Sequence, residues 1–210
     1  MMKVSVSFLS SKNAPRDLRL LNETDCDYIH VDIMDGKFVK NKTMPFSEMK
    51  KIYKYTDKRL DVHLMCANPE KYIHKYATLN TEFITIHVEI NDDITKLIQL
   101  IKSYSIKAGL SIKPNTNVRD IIPYLPYIDS ILVMSVEPGE GGQEFIKSSE
   151  EKVKEIRKLF DEYHLNNILI NIDGGVNGNT VKYCSECDIV TSGSYIINAD
   201  NYQENIDTLR

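Results

Sequence analysis

Short apolar runs alternate with amphipathic segments along the whole chain. Eight of the apolar runs are rich in Ile and Val and contain no internal proline, which is typical of parallel strands buried on both faces. These predicted strands are Lys3–Phe8, Tyr28–Ile33, Leu60–Met65, Phe83–Val88, Lys107–Ile112, Ser130–Ser135, Asn167–Ile172 and Asp188–Thr191.

Several segments between these runs place their apolar residues at helical spacing. The pattern predicts helices over Arg16–Asn22, Asp92–Tyr104 and Asn201–Arg210, and two more that open near Asn68 and Ser148. The last two openings carry the N-cap, proline and capping-box residues that are typical of helix starts.

This alternation of strands and helices predicts an α/β protein with a parallel sheet. Eight strand–helix units in a chain of 210 residues favour one closed (β/α)₈ TIM barrel, and we expect a single barrel domain over residues 1–210. A doubly wound open sheet is the alternative, and it would place function at one switch point. Polar residues follow many of the predicted strands, which favours the barrel.

Composition and charge narrow the range of partners. The chain is 42% hydrophobic and 27% charged with a net charge of −4, and it contains no basic stripe that would indicate a nucleic-acid partner. No apolar stretch approaches the length of a membrane span, so we expect no membrane association. The first residues are too short and polar a stretch for a signal peptide, and four unpaired cysteines fit a cytoplasmic location.

Four residues at the ends of predicted strands carry candidate chemistry. His30 and Asp32 are two positions apart and therefore face the same side of one strand, while His63 and Asp173 end two other strands. Two imidazoles and two carboxylates suit a divalent cation. Because the carboxylates can also carry protons, the set fits an enzyme that moves a proton at a carbon beside a carbonyl.

Ordinary structural explanations remain open for the same residues. A histidine and an aspartate on one strand face also form structural hydrogen bonds, and a lone buried histidine is often satisfied inside a core. The sequence by itself does not separate these explanations from the metal site.

Three glycine-containing segments follow the last three predicted strands. They are Val136–Gln143, Asp173–Gly175 and Ser192–Ser194, and we expect a helix to begin near Asn177. Loops after strands seven and eight of such barrels often hold phosphate, because glycine lets backbone N–H groups approach an anion. The segments therefore predict a phosphate cradle, with ordinary glycine-rich turns as the alternative.

Taken together, these segments resemble the ribulose-phosphate 3-epimerase family. The resemblance runs over nearly the whole chain and keeps the family's order of blocks. The matching blocks are His30–Gly36, Asp61–Met65, His87–Glu89, Ile112–Thr116, Val133–Gln143, Asp173–Gly175 and Ser192–Ser194.

The resemblance implies a barrel of the ribulose-phosphate-binding type that interconverts D-ribulose 5-phosphate and D-xylulose 5-phosphate. It implies that His30, Asp32, His63 and Asp173 bind the metal, and that Asp32 and Asp173 are the paired acid and base. The substrate-binding residues that it implies are Ser7, Met34, His63, Met65, Met134, Gly139, Gly141, Gly142, Gln143, Gly174, Gly175, Gly193 and Ser194.

The resemblance also implies a cofactor and partners. The cofactor is one divalent metal ion, which is zinc, iron, manganese or cobalt in the family. The partner is a small-molecule sugar phosphate, and the family's members form homo-oligomers, either dimers or hexamers.

The chain departs from the family pattern at a few positions. Val6 stands where the family usually has proline, and Ser11–Asn13 replaces a stretch that usually carries an acidic residue. Glu140 stands where the phosphate loop usually has a phenylalanine that helps to cover the substrate. A carboxylate there weakens phosphate binding unless it points away.

Other functions stay open at the level of sequence. A hexulose-phosphate 3-epimerase, for example one acting on D-allulose 6-phosphate, needs the same machinery. A phosphate-binding barrel decarboxylase would use an Asp-x-Lys-x-x-Asp array, which begins at Asp35 but ends in Lys40. The third alternative is a non-catalytic barrel that only binds a sugar phosphate or a metal.

Overall fold

The computed structural model describes residues 1–210 and confirms the predicted closed barrel. Neighbouring strands pair in parallel in chain order, and the first strand also pairs with the last, which closes the sheet. The strands are β1 Lys3–Ser7, β2 Tyr28–Met34, β3 Arg59–Met65, β4 Thr81–His87, β5 Lys107–Ile112, β6 Ser130–Met134, β7 Leu169–Asp173 and β8 Ile189–Ser192.

Helices connect most of the strands on the outside of the barrel. The α-helices are α1 Ala14–Asn22, α2 Phe46–Ile52, α3 Glu70–Tyr76, α4 Ile94–Ser103, α5 Ser149–Glu162, α6 Ser194–Ile197 and α7 Tyr202–Asp207. The 3₁₀ segments are Tyr53–Tyr55, Val118–Tyr127 and Val181–Cys184. The side chains of Asn13, Asp93 and Asn201 cap α1, α4 and α7 by accepting hydrogen bonds from first-turn N–H groups.

The helices predicted to open near Asn68 and Ser148 form, but their predicted capping contacts are wrong, and the helix predicted near Asn177 is absent. Ser148 already has helical backbone angles, φ −62° and ψ −11°, and its side chain makes no capping bond, because an N-cap residue needs an extended backbone. Pro69 rather than Asn68 occupies the cap position of α3. Near Asn177 no α-helix forms: the Asn177 side-chain oxygen accepts from the N–H groups of Asn179 and Thr180, and only the 3₁₀ segment Val181–Cys184 follows.

Alternate residues of each strand face opposite sides of the barrel wall, and the two sides differ in chemistry. Outward residues such as Val4, Ile29 and Val31 are buried against the helices and belong to a hydrophobic cluster of 49 residues. Inward residues are largely polar toward the carboxyl ends of the strands. Tyr28 and Phe83 close the opposite end of the interior, with ring centroids 5.5 Å apart. The barrel therefore opens into polar side chains at one rim.

No helix in the structure combines the length and the apolar character that crossing a membrane would require.

Candidate functional site

The carboxyl ends of three strands bring the four predicted ligands together. His30 and Asp32 come from β2, His63 from β3 and Asp173 from β7. One ligand atom of each residue lies within 4.8 Å of the ligand atoms of the other three. The barrel thus places the whole quartet at one point of its rim.

The spacing inside the quartet is close to what a small cation requires. His30 Nε2 lies 3.4 Å from Asp32 Oδ1 and 3.6 Å from Asp173 Oδ2. His63 Nδ1 lies 3.4 Å from Asp32 Oδ1 and 3.9 Å from Asp173 Oδ2. Ligand atoms about 2.0–2.2 Å from a tetrahedral ion are separated from one another by roughly 3.3–3.6 Å. Three of the four separations lie within this range and the fourth is slightly longer, so the donor set suits one divalent cation.

Two nitrogen atoms in the quartet make no hydrogen bond. His30 Nε2 and His63 Nδ1 are both buried and both without a hydrogen-bond partner. Their distances to the carboxylates exceed the usual length of an N–H···O bond. Because buried polar atoms in proteins are nearly always paired, two orphaned nitrogens facing two carboxylates are typical of a site that binds a cation.

Asp61 orients the ring of His30 through a hydrogen bond. Asp61 Oδ2 lies 2.9 Å from His30 Nδ1 and also accepts hydrogen bonds from Ser5 Oγ and Asn171 Nδ2. The carboxylate cannot donate, so it holds Nδ1–H and leaves Nε2 toward the quartet. The structural His–Asp hydrogen bond that the sequence left open therefore joins His30 to Asp61, not to Asp32.

The two carboxylates of the quartet have pKa values shifted in opposite directions. Burial raises the pKa of Asp32, but the neighbouring His30 and His63 outweigh burial and hold that pKa well below its usual range. Burial is also the main influence on Asp173, and with the negative charge of Asp32 it raises the pKa of Asp173 to about 6. Carboxylates with separated pKa values are typical of acid–base pairs.

The carboxylates around His30 raise its pKa. Burial lowers its pKa, but Asp61 and Asp32 overcome burial, so the pKa of His30 is raised well above its ordinary value. A proton and a cation therefore compete for His30 Nε2, and metal binding at this atom releases a proton.

A cavity of about 410 Å³ opens above the quartet. Its volume falls within the range of about 300–1,000 Å³ that is common for small-molecule sites. Every predicted substrate-binding residue except His63 lines it; His63 is completely buried below the floor. The lining residues from the prediction are Ser7, Asp32, Met34, Met65, Met134, Gly139, Gly141, Gly142, Gln143, Asp173, Gly174, Gly175, Gly193 and Ser194.

The glycine segments after β6 and β7 pack against each other at one side of this cavity. A Cβ atom on Gly174, at φ +120°, would lie 2.4 Å from Val136 Cγ2. A Cβ atom on Gly175, at φ +65°, would lie 2.6 Å from the backbone nitrogen of Phe145. Only glycine fits both the backbone angles and the close approach, so these two residues shape the wall of the cavity.

Glu140 lies on the rim of the same cavity. Its side chain is exposed, and its backbone oxygen accepts a hydrogen bond from Gln143 Nε2. The departure from the family pattern therefore puts a solvated negative charge, rather than an aromatic ring, at the mouth.

Sequence reasoning missed several residues at this site. Asn177, Asn179, Tyr195 and Asn198 also line the cavity. Asp61, His87 and Glu89 lie behind the quartet, and the sequence indicates them only as parts of the matching blocks. Strand parity places Asp61 and His87 inside the barrel, but it does not reveal which atoms they bond.

Comparison with known proteins gives a consistent picture. The family model described as "Ribulose-phosphate 3 epimerase family" matches residues 3–197. A protein named ribulose-phosphate 3-epimerase from Bacillus subtilis is 35% identical over 214 residues and covers 100% of this chain and 99% of that protein. One of the same name from Mycobacterium bovis is 38% identical over 186 residues, covering 88% of this chain and 81% of that protein.

Solved structures with little sequence similarity share the fold. The structure of KGPDC from Streptococcus mutans has a TM-score of 0.71 at 11% identity, covering 100% of this chain and 95% of that one. Phosphoribosylanthranilate isomerase from Thermotoga maritima has a TM-score of 0.65 at 15% identity, with coverages of 100% and 98%. At these identities the likeness concerns the barrel alone.

Proposed function

This chain belongs to the ribulose-phosphate 3 epimerase family and is an isomerase, and from that premise we propose its reaction and the role of each site residue. Family membership supports pentose-phosphate epimerase activity. The proposed reaction interconverts D-ribulose 5-phosphate and D-xylulose 5-phosphate at C3. Asp32 and Asp173 are the proposed acid and base, and an enediolate is the proposed intermediate.

The observation that carries this proposal is the pair of aspartates at one cavity floor. Inversion at C3 requires removal of a proton from one face of the sugar and delivery of a proton to the other. Asp32 stands on β2 and Asp173 on β7, and β8 and β1 separate these strands in the barrel. The two carboxylates therefore approach the cavity from different sides of the rim, as a two-base mechanism requires.

The opposite pKa shifts support a division of labour between the two groups. Asp173, with a pKa raised to about 6, takes up a proton near neutral pH more readily than an ordinary carboxyl group. Asp32 is held as a carboxylate by the histidines, and its Oδ2 accepts a hydrogen bond from Ser7 Oγ at 2.8 Å. Ser7 thereby fixes the orientation of Asp32 toward the cavity.

Proton transfer alone does not account for enzymatic rates. General acid–base help contributes roughly 10²–10⁴ in rate, or about 3–5 kcal/mol, whereas enzymes lower barriers by about 8–23 kcal/mol. A divalent cation held by His30, Asp32, His63 and Asp173 would supply a positive charge beside the developing enediolate. The donor set suits zinc, iron, manganese or cobalt.

The remaining lining residues have proposed roles that follow from their chemistry. Met34, Met65 and Met134 present apolar thioethers that exclude water from the reacting carbons without offering a proton. The glycine segments offer backbone N–H groups to the substrate phosphate. Holding the phosphate at the rim would fix C3 between the two aspartates.

Replacing either aspartate tests this proposal. In metal-loaded protein, Asp32→Asn and Asp173→Asn should each lower kcat by about 10²- to 10⁴-fold or more, because each removes one proton carrier. Asp161→Asn, which changes an exposed carboxylate on α5, is the matched control and should leave kcat unchanged. Near-normal turnover by either site variant, with its fold verified by circular dichroism, contradicts the two-base proposal.

A further inference from the structure

A chain of hydrogen bonds leads from His63 away from the cavity. His63 Nε2 lies 2.8 Å from His87 Nε2, and His87 Nδ1 lies 2.9 Å from Glu89 Oε2. The His63 and His87 ring centroids are 5.0 Å apart, so the rings meet edge to edge through these nitrogens rather than stacking. The proposed reaction uses neither His87 nor Glu89.

The far end of the chain fixes the direction of every bond in it. Glu89 Oε1 accepts a hydrogen bond from the backbone N–H of Lys113 at 2.7 Å and another from Thr116 Oγ1. An ionised carboxylate has no proton to donate. The hydrogen between His87 and Glu89 therefore sits on His87 Nδ1.

This assignment also fixes which nitrogen donates in each of the two imidazole rings. A neutral imidazole with its hydrogen on Nδ1 has a lone pair on Nε2. His87 Nε2 must then accept the hydrogen bond from His63 Nε2–H. His63 consequently carries no hydrogen on Nδ1, which is the orphaned atom that faces Asp32 and Asp173.

We propose that Glu89 is a positioning residue that acts through His87 to fix the tautomer of His63, so that the lone pair of His63 Nδ1 points at the cation site. This inference rests on the proposed metal site. His30 has its own carboxylate, Asp61, in direct contact. For His63 the equivalent carboxylate is Glu89, which is separated from it by the ring of His87.

Neighbouring residues hold the hydrogen-bond relay of Glu89, His87 and His63 in place. Lys152 Nζ donates hydrogen bonds to the backbone oxygens of Lys113, Pro114 and Thr116, at 2.9, 2.7 and 2.7 Å, and so anchors the loop that holds Glu89. The ring of Phe38 covers His87 with centroids 4.6 Å apart. The contacts of Glu89 with Lys113 and Thr116 therefore join the His87–Glu89 block to the Ile112–Thr116 block.

The protonation state of Glu89 agrees with the bond directions. Burial raises the pKa of Glu89, but hydrogen bonds from His87 and Thr116 outweigh burial and lower it to about 2.

A single near-isosteric substitution should reverse the relay. In Glu89→Gln, the Lys113 N–H still requires an acceptor, so the amide oxygen takes that side and the amide NH₂ faces His87 Nδ1. His87 Nδ1 must then accept, His87 Nε2 must donate, and His63 moves its hydrogen to Nδ1. The ligand atom of His63 is then blocked without any change in the four proposed ligands.

Two measurements test this reversal on the whole protein. Long-range ¹H–¹⁵N NMR of metal-free, ¹⁵N-histidine-labelled protein should show the Nε2–H tautomer for His63 in the wild type and the Nδ1–H tautomer in Glu89→Gln. Titration with Co²⁺ alone, followed by its visible d–d absorption, should show about 10- to 100-fold weaker binding for Glu89→Gln. Thr116→Val, which removes one bond to Glu89 but keeps the carboxylate, should change neither the tautomer nor the affinity by more than a few-fold.

Each result bears on a defined claim. A wild-type protein with its hydrogen on His63 Nδ1 overturns the inference and needs no variant to do so. Unchanged Co²⁺ affinity in Glu89→Gln also overturns it, while wild-type Co²⁺ binding leaves the proposed metal site standing. If the wild type binds no Co²⁺, the proposed metal site fails, and the relay loses the role assigned to it even where the tautomers agree.

Discussion

Asp32 and Asp173 are the same residue type in the same pocket, yet their neighbours give them opposite protonation behaviour. Asp32 faces both histidines and accepts from Ser7, whereas Asp173 has no side-chain hydrogen bond and senses the charge of Asp32. The aspartates could be chosen from sequence, because each ends a predicted strand. Their difference could not, because it depends on contacts between strands that lie far apart in the chain.

Asp173 should make the stability of metal-free protein depend on pH. Its folded-state pKa of about 6 exceeds the ordinary value of 3.8, so folding binds a proton and stability is lost as pH rises from about 4 to 6. Metal-free Asp173→Asn has no charge to bury, so at pH 8 it should be more stable than wild type by about 1–3 kcal/mol. Urea unfolding of chelator-treated proteins at pH 4 and pH 8 measures this; an equal difference at both pH values contradicts it.

Glu140 should weaken substrate binding through its charge alone. Its carboxylate is solvent-exposed at the cavity rim, and the proposed substrate carries a phosphate. Glu140→Gln should lower KM by about 2- to 5-fold at low ionic strength, with kcat unchanged, because two like charges in water repel weakly. The effect should fade in 0.5 M salt, as screening requires. A KM that falls equally at all salt concentrations would indicate a direct contact of Glu140 with the substrate rather than charge repulsion through water.

The secondary-structure elements divide into those that their sequence determines locally and those that it does not. All eight strands were predicted to within two residues at each end, because buried parallel strands carry a strong local signal of Ile and Val. The 3₁₀ segment Val118–Tyr127 was not predicted, since Pro123 and Pro126 interrupt any regular helical pattern. Near Asn177 the chain forms a turn and then only the short 3₁₀ segment Val181–Cys184 instead of the expected helix.

The contact between the loops after β6 and β7 should be sensitive to a single methyl group. Gly175→Ala would place a Cβ 2.6 Å from a backbone atom at a left-handed φ, and we expect it to cost about 2–4 kcal/mol in the free energy of unfolding. Gly142→Ala is the matched control, since Gly142 also has a positive φ, +75°, but has no atom within 4 Å of its Cβ position. It should cost about 1–2 kcal/mol from backbone strain alone. Equal costs in denaturant unfolding would show that the loop contact does not matter.

Closure of the barrel creates the site, because every strand delivers its carboxyl end to one rim. The sequence could therefore predict that His30, His63, Asp32 and Asp173 meet, once the closed barrel was chosen over an open sheet. It could not predict which imidazole nitrogen faces the centre. That choice depends on Asp61 and on the His87–Glu89 pair, whose bonds cross between neighbouring strands and follow only from the register.

Metal binding should stabilise the whole fold. A ligand that binds only the folded state adds roughly 2.7 kcal/mol at 100 times its Kd, which corresponds to about 5–10 °C in Tm for a chain of this size. Adding Co²⁺ to metal-free wild type at pH 7.5 should produce this rise in a thermal scan. The rise should shrink at pH 5, because the raised pKa of His30 lets protons compete for Nε2.

Asp32→Asn serves as the control for that scan, because it removes one ligand from the quartet. Its Tm should rise by much less at the same Co²⁺ concentration. An equal rise in the variant would mean that the ion binds elsewhere.

The most direct test of the account is NMR of D-ribulose 5-phosphate in D₂O with metal-loaded protein. We predict that D-xylulose 5-phosphate forms and that its C3 carries solvent deuterium from the earliest turnovers, because one aspartate removes the proton and the other supplies a different one. Product that keeps the substrate's protium at C3, or a substrate that binds without forming product, would contradict proton exchange by two aspartates on this barrel rim.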